Sequence, residues 1–271
     1  MKRKIILFFF LLVNAVIFAQ EIEKSTPNKI SSGEEIKKRQ EEEIEKESKY
    51  TLERIDTLKK RTHQIEQGRT KGDSSKEKHT EGEKDFLIDL DLAISGVGRA
   101  REKSAVPYLT EILLWDPYPD NRVNAAQALG MISSTETIPA LRKALEDEEL
   151  AVQQSVAKIL FNWGEREITL PVWEKIVQIK NLDDLDETLK GQSRADVYYY
   201  FIELPDKSEK QKRFAKERIQ EIKEAMIIDA VRKLKGIGNP KVITIIREVA
   251  LTHPNSNIRK EATKILNEKS Q

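Results

Sequence analysis

The sequence predicts an all-α fold: an α-α superhelix of stacked helix pairs over residues 85–271, preceded by a charged, partly helical or disordered N-terminal segment. Three observations carry this. After Asp85, apolar residues recur at three- and four-residue intervals between short turns, which is the period of a helix with one buried face. One motif repeats: Asn121-Arg122-x-x-Ala125-Ala126-x-Ala128-Leu129-Gly130 matches Val152-Gln153-x-x-Val156-Ala157-x-Ile159-Leu160 at an offset of 31, and Ile258-Arg259-x-x-Ala262-Thr263-x-Ile265-Leu266 at 137. From Gln20 to Asp85 the chain holds 16 basic and 17 acidic residues among 66, too many to bury a core.

The first element is residues 1–19. Met1-Lys2-Arg3-Lys4 precedes a run from Ile5 to Phe18 that is apolar except at Asn14 and ends at Ala19. That is the layout of a signal peptide, with Ile17 and Ala19 filling the two recognition positions before the cut. The run is shorter than the roughly 20 apolar residues of a spanning helix, which favours cleavage after about Ala19 over an uncleaved anchor. No Cys follows, so no lipoprotein anchor forms there. The expectation is a periplasmic or secreted protein that meets the membrane only transiently, through that peptide.

Losing Lys2, Arg3 and Lys4 leaves 44 basic and 46 acidic residues, a balance with no global pull toward nucleic acid or anionic lipid. The absence of cysteine removes disulfides, thiolate metal sites and a Cys nucleophile. Residues 85–271 must rely on an apolar core, and are long enough to form one.

Residues 20–84 read as a charged tether. Gly68, Gly72, Ser74, Ser75 and Gly82 mark its second half as linker. Between Gly33 and Gln67 no Gly or Pro interrupts, and Ile44, Thr51, Leu58 and Ile65 recur every seven positions, with Ser48, Ile55 and Thr62 offset by four. Two readings fit helix 33–67: a coiled coil or partner-docking helix, through which the protein could self-associate, or an isolated charged helix that frays in water.

Each repeated motif has a second amphipathic stretch upstream: Val106-Pro107-Tyr108-Leu109, Ile138-Pro139-Ala140-Leu141, and Val242 with Ile245, Ile246 and Val249. These units resemble HEAT repeats, in the short form of phycobilisome-lyase-like HEAT proteins. That family's pattern is a Val/Ile-Pro-x-Leu opening of the first helix and a V-R-x-x-A-A-x-A-L-G second helix. The resemblance covers Ala105 to about Trp163 and Met226 to Glu268, and implies a HEAT-like, armadillo-type solenoid. Pro in the first turn costs no hydrogen bond, and the Ala pair lets neighbouring helices approach. Residues 86–98 read as the second helix of an incomplete capping repeat. Gly96-Val97-Gly98 and Gly236-Ile237-Gly238 read as C-caps between units, since a dinucleotide fingerprint needs a preceding strand.

Residues 165–206 depart from the pattern. Pro171 to Ile176 opens a degenerate unit, Asn181 to Arg194 reads as an inserted loop, and Ala195 to Leu204 as a helix. Ser208 to Lys235 follows as a long helix with Ala215, Ile219, Ile222, Met226, Ala230 and Leu234 on one face and a basic start projecting into solvent.

Chemistry is sparse. His63, His79 and His253 are far apart without ligand spacing and read as surface residues. Asp183, Asp184, Asp186 and Glu187 lack the Gly of a calcium loop and read as a solvated loop and helix cap. Asp120 suits an N-cap. The resemblance gives Arg122 and Arg259 the role of bridging to the next unit. No nucleophile or phosphate-cradling motif stands in a supporting context, so no enzymatic activity, cofactor or metal is expected.

Surface remains. The resemblance places second helices on the concave face, making Asn124, Gln127, Gln154, Lys158, Lys260 and Lys264 contact candidates. Tyr198-Tyr199-Tyr200-Phe201, with Trp173, form the preferred partner-binding patch, because four consecutive aromatics on a helix point all round it. The alternative puts two of the four in the core and two as caps of the irregular unit. The expected function is a non-enzymatic protein-protein interaction scaffold, in the periplasm or outside the cell and set in a cell-envelope assembly, whose partner is another protein. Two alternatives stay open. One is an exported enzyme or ligand-processing HEAT-like protein. The other is a nucleic-acid binder through the basic helix 207–218, against which Glu209, Glu217 and export weigh.

Overall fold

The computed structural model describes residues 33–67, 81–189, 193–205 and 207–268, and every regular element among them is helical. Residues 1–19, read as a signal peptide, and the Gly- and Ser-bearing stretch 68–80 lie outside the described residues. The chain divides into two compact units, Met1–Tyr50 and Thr51–Gln271. The described part of the first is the start of helix α1 (Gly33–Glu66), where Lys38 and Glu42 pair one turn apart at 4.0 Å with both side chains in solvent.

The second unit is an α-solenoid. Helices α3 (Val106–Trp115) and α4 (Pro119–Ile132) form one pair, and α5 (Ile138–Ala144) and α6 (Leu150–Asn162) the next. Helix α7 (Leu170–Val177) opens a third, completed by a 3-10 turn at Leu182–Leu185 and the one-turn α8 (Asp186–Leu189). Helix α11 (Pro240–Thr252) and α12 (Ser256–Asn267) form the last. Before α3 lies α2 (Glu81–Ala100), and between the third and last pairs lie α9 (Ser193–Glu203) and the long α10 (Glu209–Ile237).

The first three pairs open alike. A 3-10 turn ends on Ala105, Thr137 or Thr169, each buried, and Pro107, Pro139 or Pro171 follows in the first helical turn. Two residues later Leu109, Leu141 and Trp173 are fully buried. Trp173 therefore belongs to the core, correcting its place in the surface patch. It fills the leucine register position, and its indole N–H donates to Thr169 Oγ1 at 2.8 Å, so its one polar atom needs no solvent. The unit expected to be degenerate has a 3-10 turn and one helical turn in place of a full second helix, but Leu182, Leu185 and Leu189 are buried where a solvated loop was expected.

The turns inside the pairs share a second device. Asp116, Asp147, Asn181 and His253 each accept the backbone N–H two residues ahead, at 2.9, 2.9, 3.2 and 3.1 Å. Arg122, Gln153 and Arg259 then reach back to the carbonyl six residues earlier, taking up an acceptor at the end of the first helix. Arg122 also grips Asp147 of the following unit through two bonds, at 2.9 and 2.8 Å, which is the bridging role expected of it. Asp120 is not the cap of α4: the N-cap is Tyr118, Pro119 is the first helical residue, and Asp120 sits exposed in the first turn.

His253 is another correction. It is buried, with Nδ1 accepting from Asn255 N–H and Nε2–H donating to the Ile179 carbonyl at 2.9 Å. Burial pushes its pKa below 6.5, opposed by the bond to Ile179, so the neutral ring is the one that fits.

Two glycine motifs split. Gly238 closes α10 at φ 80° in the left-handed region, as a C-cap does. Gly96 and Gly98 instead lie inside α2, and the left-handed residue that ends this helix is Arg101 at φ 56°. A Cβ on Gly98 would come within 2.9 Å of the Ala128 Cα on α4, so this glycine sets the distance between stacked helices.

The folded unit begins at Thr51 rather than near Asp85. Ile55, Leu58 and Thr62 are buried, Thr51 and Ile65 half-buried, so the heptad stripe of α1 is covered by the chain's own repeats from residue 51 on. Arg61 pairs with Asp116 through bonds of 2.6 and 2.9 Å, and its guanidinium lies 5.3 Å from the Tyr118 ring centroid. This moves the tether boundary from near Asp85 to Thr51, and over 51–65 the stripe is covered within the chain. The core runs as two clusters, Ile55 to Leu160 and Ala157 to Ile265, with Leu145 packed against both.

Candidate protein-binding surface

Helix α9 and the first half of α10 pack on each other as a hairpin. Ser208 caps α10 reciprocally with Gln211, each side chain bonding the other residue's backbone N–H. In this half of α10, Ala215 and Ile219 are the buried positions, while the residues from Glu209 to Phe214 are exposed or half-exposed. The basic start thus stands in solvent, as its composition implies.

The hairpin is held at its root by Lys223, 3% exposed, on the apolar stripe of α10. Its ammonium meets Asp186 at 2.7 Å and Asp183 at 3.1 Å, and Asp186 also accepts the Tyr199 hydroxyl. Asp183 and Asp186 are therefore the counter-charge of a buried lysine, while Asp183 and Asp184 remain exposed in the first turn that Asn181 caps. The side chain of Glu187 lies outside the described residues.

Away from this root the surface also exposes apolar side chains. Val197 is 62% exposed, Tyr200 65% and Phe214 51%. Tyr198, Tyr199 and Phe201 are half-buried, so none of the four consecutive aromatics enters the core fully, and neither sequence reading holds for all four. Phe201 and Phe214, with Ser208, Lys210 and Gln211, line an open cleft of about 550 Å³. Cations cover both rings: Lys207 Nζ is 5.2 Å from the Phe201 centroid, and the Arg218 guanidinium 5.0 Å from that of Phe214.

The second-helix candidates do not form one surface. Gln127, Lys260 and Lys264 are exposed. Asn124 is half-buried and donates to Asp91 at 2.7 Å, tying α4 to α2. Gln154 is buried, a correction with a register reason: at the offset of 31 it takes the place of Val123, a stacking position, not that of Asn124. Lys158 is partly enclosed, and burial pushes its pKa down, with Asp229 opposing and Lys233 adding to the shift.

Sequence reasoning missed Lys223 and Phe214. A lone lysine among Ile219, Ile222 and Met226 signals a buried charge, and the densest acidic cluster of the folded part was its available partner. Phe214 gives no such signal, because its role depends on how α9 returns. Among the described residues no group of three or more His, Asp or Glu is placed to hold a metal ion, and no helix is long and apolar enough to cross a membrane.

Comparison with known proteins gives one family match: the profile of HEAT repeats matches residues 92–158 and 106–181, from the end of α2 to the turn after α7. No curated protein matches the chain. Among solved structures, the complex of CpcE and CpcF of phycocyanin lyase from Nostoc sp. PCC7120 is similar at 18% identity and a TM-score of 0.31, over 74% of this chain and 91% of that one. On the profile match and the shared register of the helix pairs, residues 92–181 are HEAT-type helical repeats.

Proposed function

We propose that this protein is a non-enzymatic interaction scaffold, exported to the periplasm or beyond the cell within a cell-envelope assembly, and that its protein partner docks on the hairpin of α9 and α10. One observation carries the docking site: the hairpin leaves Val197, Tyr200 and Phe214 more than half exposed beside an open cleft, while a buried ion pair fixes its root. Stacked helix pairs suit such a role because each unit adds surface without altering its neighbours. Export is supported by the layout of residues 1–19.

Photo-crosslinking in the producing cells tests both parts. A crosslinker at Tyr200 is expected to give a discrete protein adduct, and one at Gln127, exposed on α4, is not. Equal adducts from both positions would refute the hairpin assignment. Mass spectrometry of the same material is expected to place the mature N-terminus at Gln20; an intact Met1 in the cytoplasmic fraction would refute export.

A further inference from the structure

We propose that the hairpin cleft takes an acidic segment of the partner protein that inserts one aliphatic or aromatic side chain between Phe201 and Phe214. This rests on the hairpin being the docking surface and names what docks there.

Charge complementarity is the first argument. Residues 207–218 hold six cations (Lys207, Lys210, Lys212, Arg213, Lys216 and Arg218) against two anions, Glu209 and Glu217, in a chain whose net charge is only +1. Lys210 lines the cleft itself, and Lys207 and Arg218 lie over its two rings. Arg218 is already paired with Glu221 at 2.7 Å, so an incoming carboxylate meets Lys207 and Lys210, and a basic or neutral segment gains nothing from them.

The floor supplies the second argument. Two phenyl rings lining an open cleft of about 550 Å³ leave room for a large apolar side chain together with the backbone that carries it, the arrangement in which an apolar anchor supplies affinity and a charged rim supplies selection. Single-stranded nucleic acid is the competing occupant of a basic aromatic surface, but it binds by stacking bases on open ring faces. Here a cation already covers one face of each cleft ring, and Glu209, Glu217 and Glu221 stand among the cations.

The test uses the full mature chain as target for a phage library of random short peptides. Selected sequences are expected to combine Asp or Glu with one Leu, Phe or Trp. A synthetic copy of the strongest binder is expected to lose about tenfold or more in affinity with Lys210→Glu plus Lys212→Glu, and again with Phe214→Ser. Lys210 and Phe214 are exposed and Lys212 is half-exposed, so circular dichroism should be unchanged. Binders that are neutral or basic, or indifferent to the charge reversals, overturn the acidic segment; if Phe214→Ser still releases them, the hairpin remains the docking surface. Binders indifferent to Phe214→Ser as well overturn both. An empty selection, or a single-stranded oligonucleotide binding the hairpin more tightly than any selected peptide, also overturns the proposal.

Discussion

Replacing Arg61 by alanine tests whether residues 51–66 belong to the repeat domain. Arg61 and Asp116 are 4% and 0% exposed and share two bonds of 2.6 and 2.9 Å. Removing one partner of a buried pair costs about 3–5 kcal/mol when the remaining charge is uncompensated. Asp116 keeps two other donors, Tyr118 N–H at 2.9 Å and Asn121 Nδ2 at 3.1 Å, which hold part of that charge and reduce the cost to about 2–3 kcal/mol. In a unit of this size each kcal/mol moves the thermal midpoint by about 2–4 °C, so Arg61→Ala should lower it by about 4–12 °C. Arrays of repeats lose stability locally, so amide exchange within 51–66 should accelerate before that within 240–267. The double replacement Arg61→Met, Asp116→Asn should recover much of the loss, since the amide oxygen keeps the turn acceptor for Tyr118 N–H and no charge is left buried. A midpoint shifted by less than about a degree, with exchange in 51–66 unchanged, would refute the docking of α1.

Three further perturbations test the register and the turns. His253 is held below 6.5 in the fold and returns to that value when unfolded, so the unfolded chain binds the extra proton. Stability is then present above 6.5 and declines as pH falls through the folded value. His253→Asn keeps a turn acceptor, as Asn181 shows, and should flatten the decline in denaturant titrations taken at successive pH values. Gly98→Ala gains up to about 1 kcal/mol of helix propensity but drives a methyl within 2.9 Å of Ala128, so a net loss of about 1–2 kcal/mol is expected by thermal denaturation; a gain would refute close packing of α2 on α4. Trp173→Ala empties a leucine position of the third unit and should cost about 3–5 kcal/mol, whereas an unchanged midpoint would return that residue to the surface.

The repeats were legible because their chemistry is local. Ala125-Ala126, Val156-Ala157 and Ala262 pack the same way in each unit, and every copy carries its own turn. What escaped was position along the array. Lys260 and Gln154 hold the same place as Val123, yet Lys260 is exposed and Gln154 buried, because α12 is the last described helix and nothing is described stacked upon it. Helix α1 escaped for a related reason: its stripe looks too polar for a core until Arg61 is paired with Asp116 on the repeats and the Thr62 hydroxyl with the Lys59 carbonyl of its own helix. Gly96 and Gly98 share the composition of a turn, and their role exists only through Arg54 and Ala128 on neighbouring helices.

His253 shows how much more the same sequence could yield. The offset of 137 that aligns Arg259 with Arg122 also aligns His253 with Asp116, and the offset of 31 aligns Asp116 with Asp147. Both aspartates accept a turn N–H, so the repeat alone assigns His253 an acceptor nitrogen and a buried site, against its reading as a surface residue. Extending the same register past Asn181 finds no counterpart in residues 193–221, where α9 turns back on α10 instead of entering the stack. A helix pair outside the stack cannot bury its apolar residues between layers. Val197, Tyr200 and Phe214 are exposed for that reason, and their burial requires a surface that the repeats do not provide.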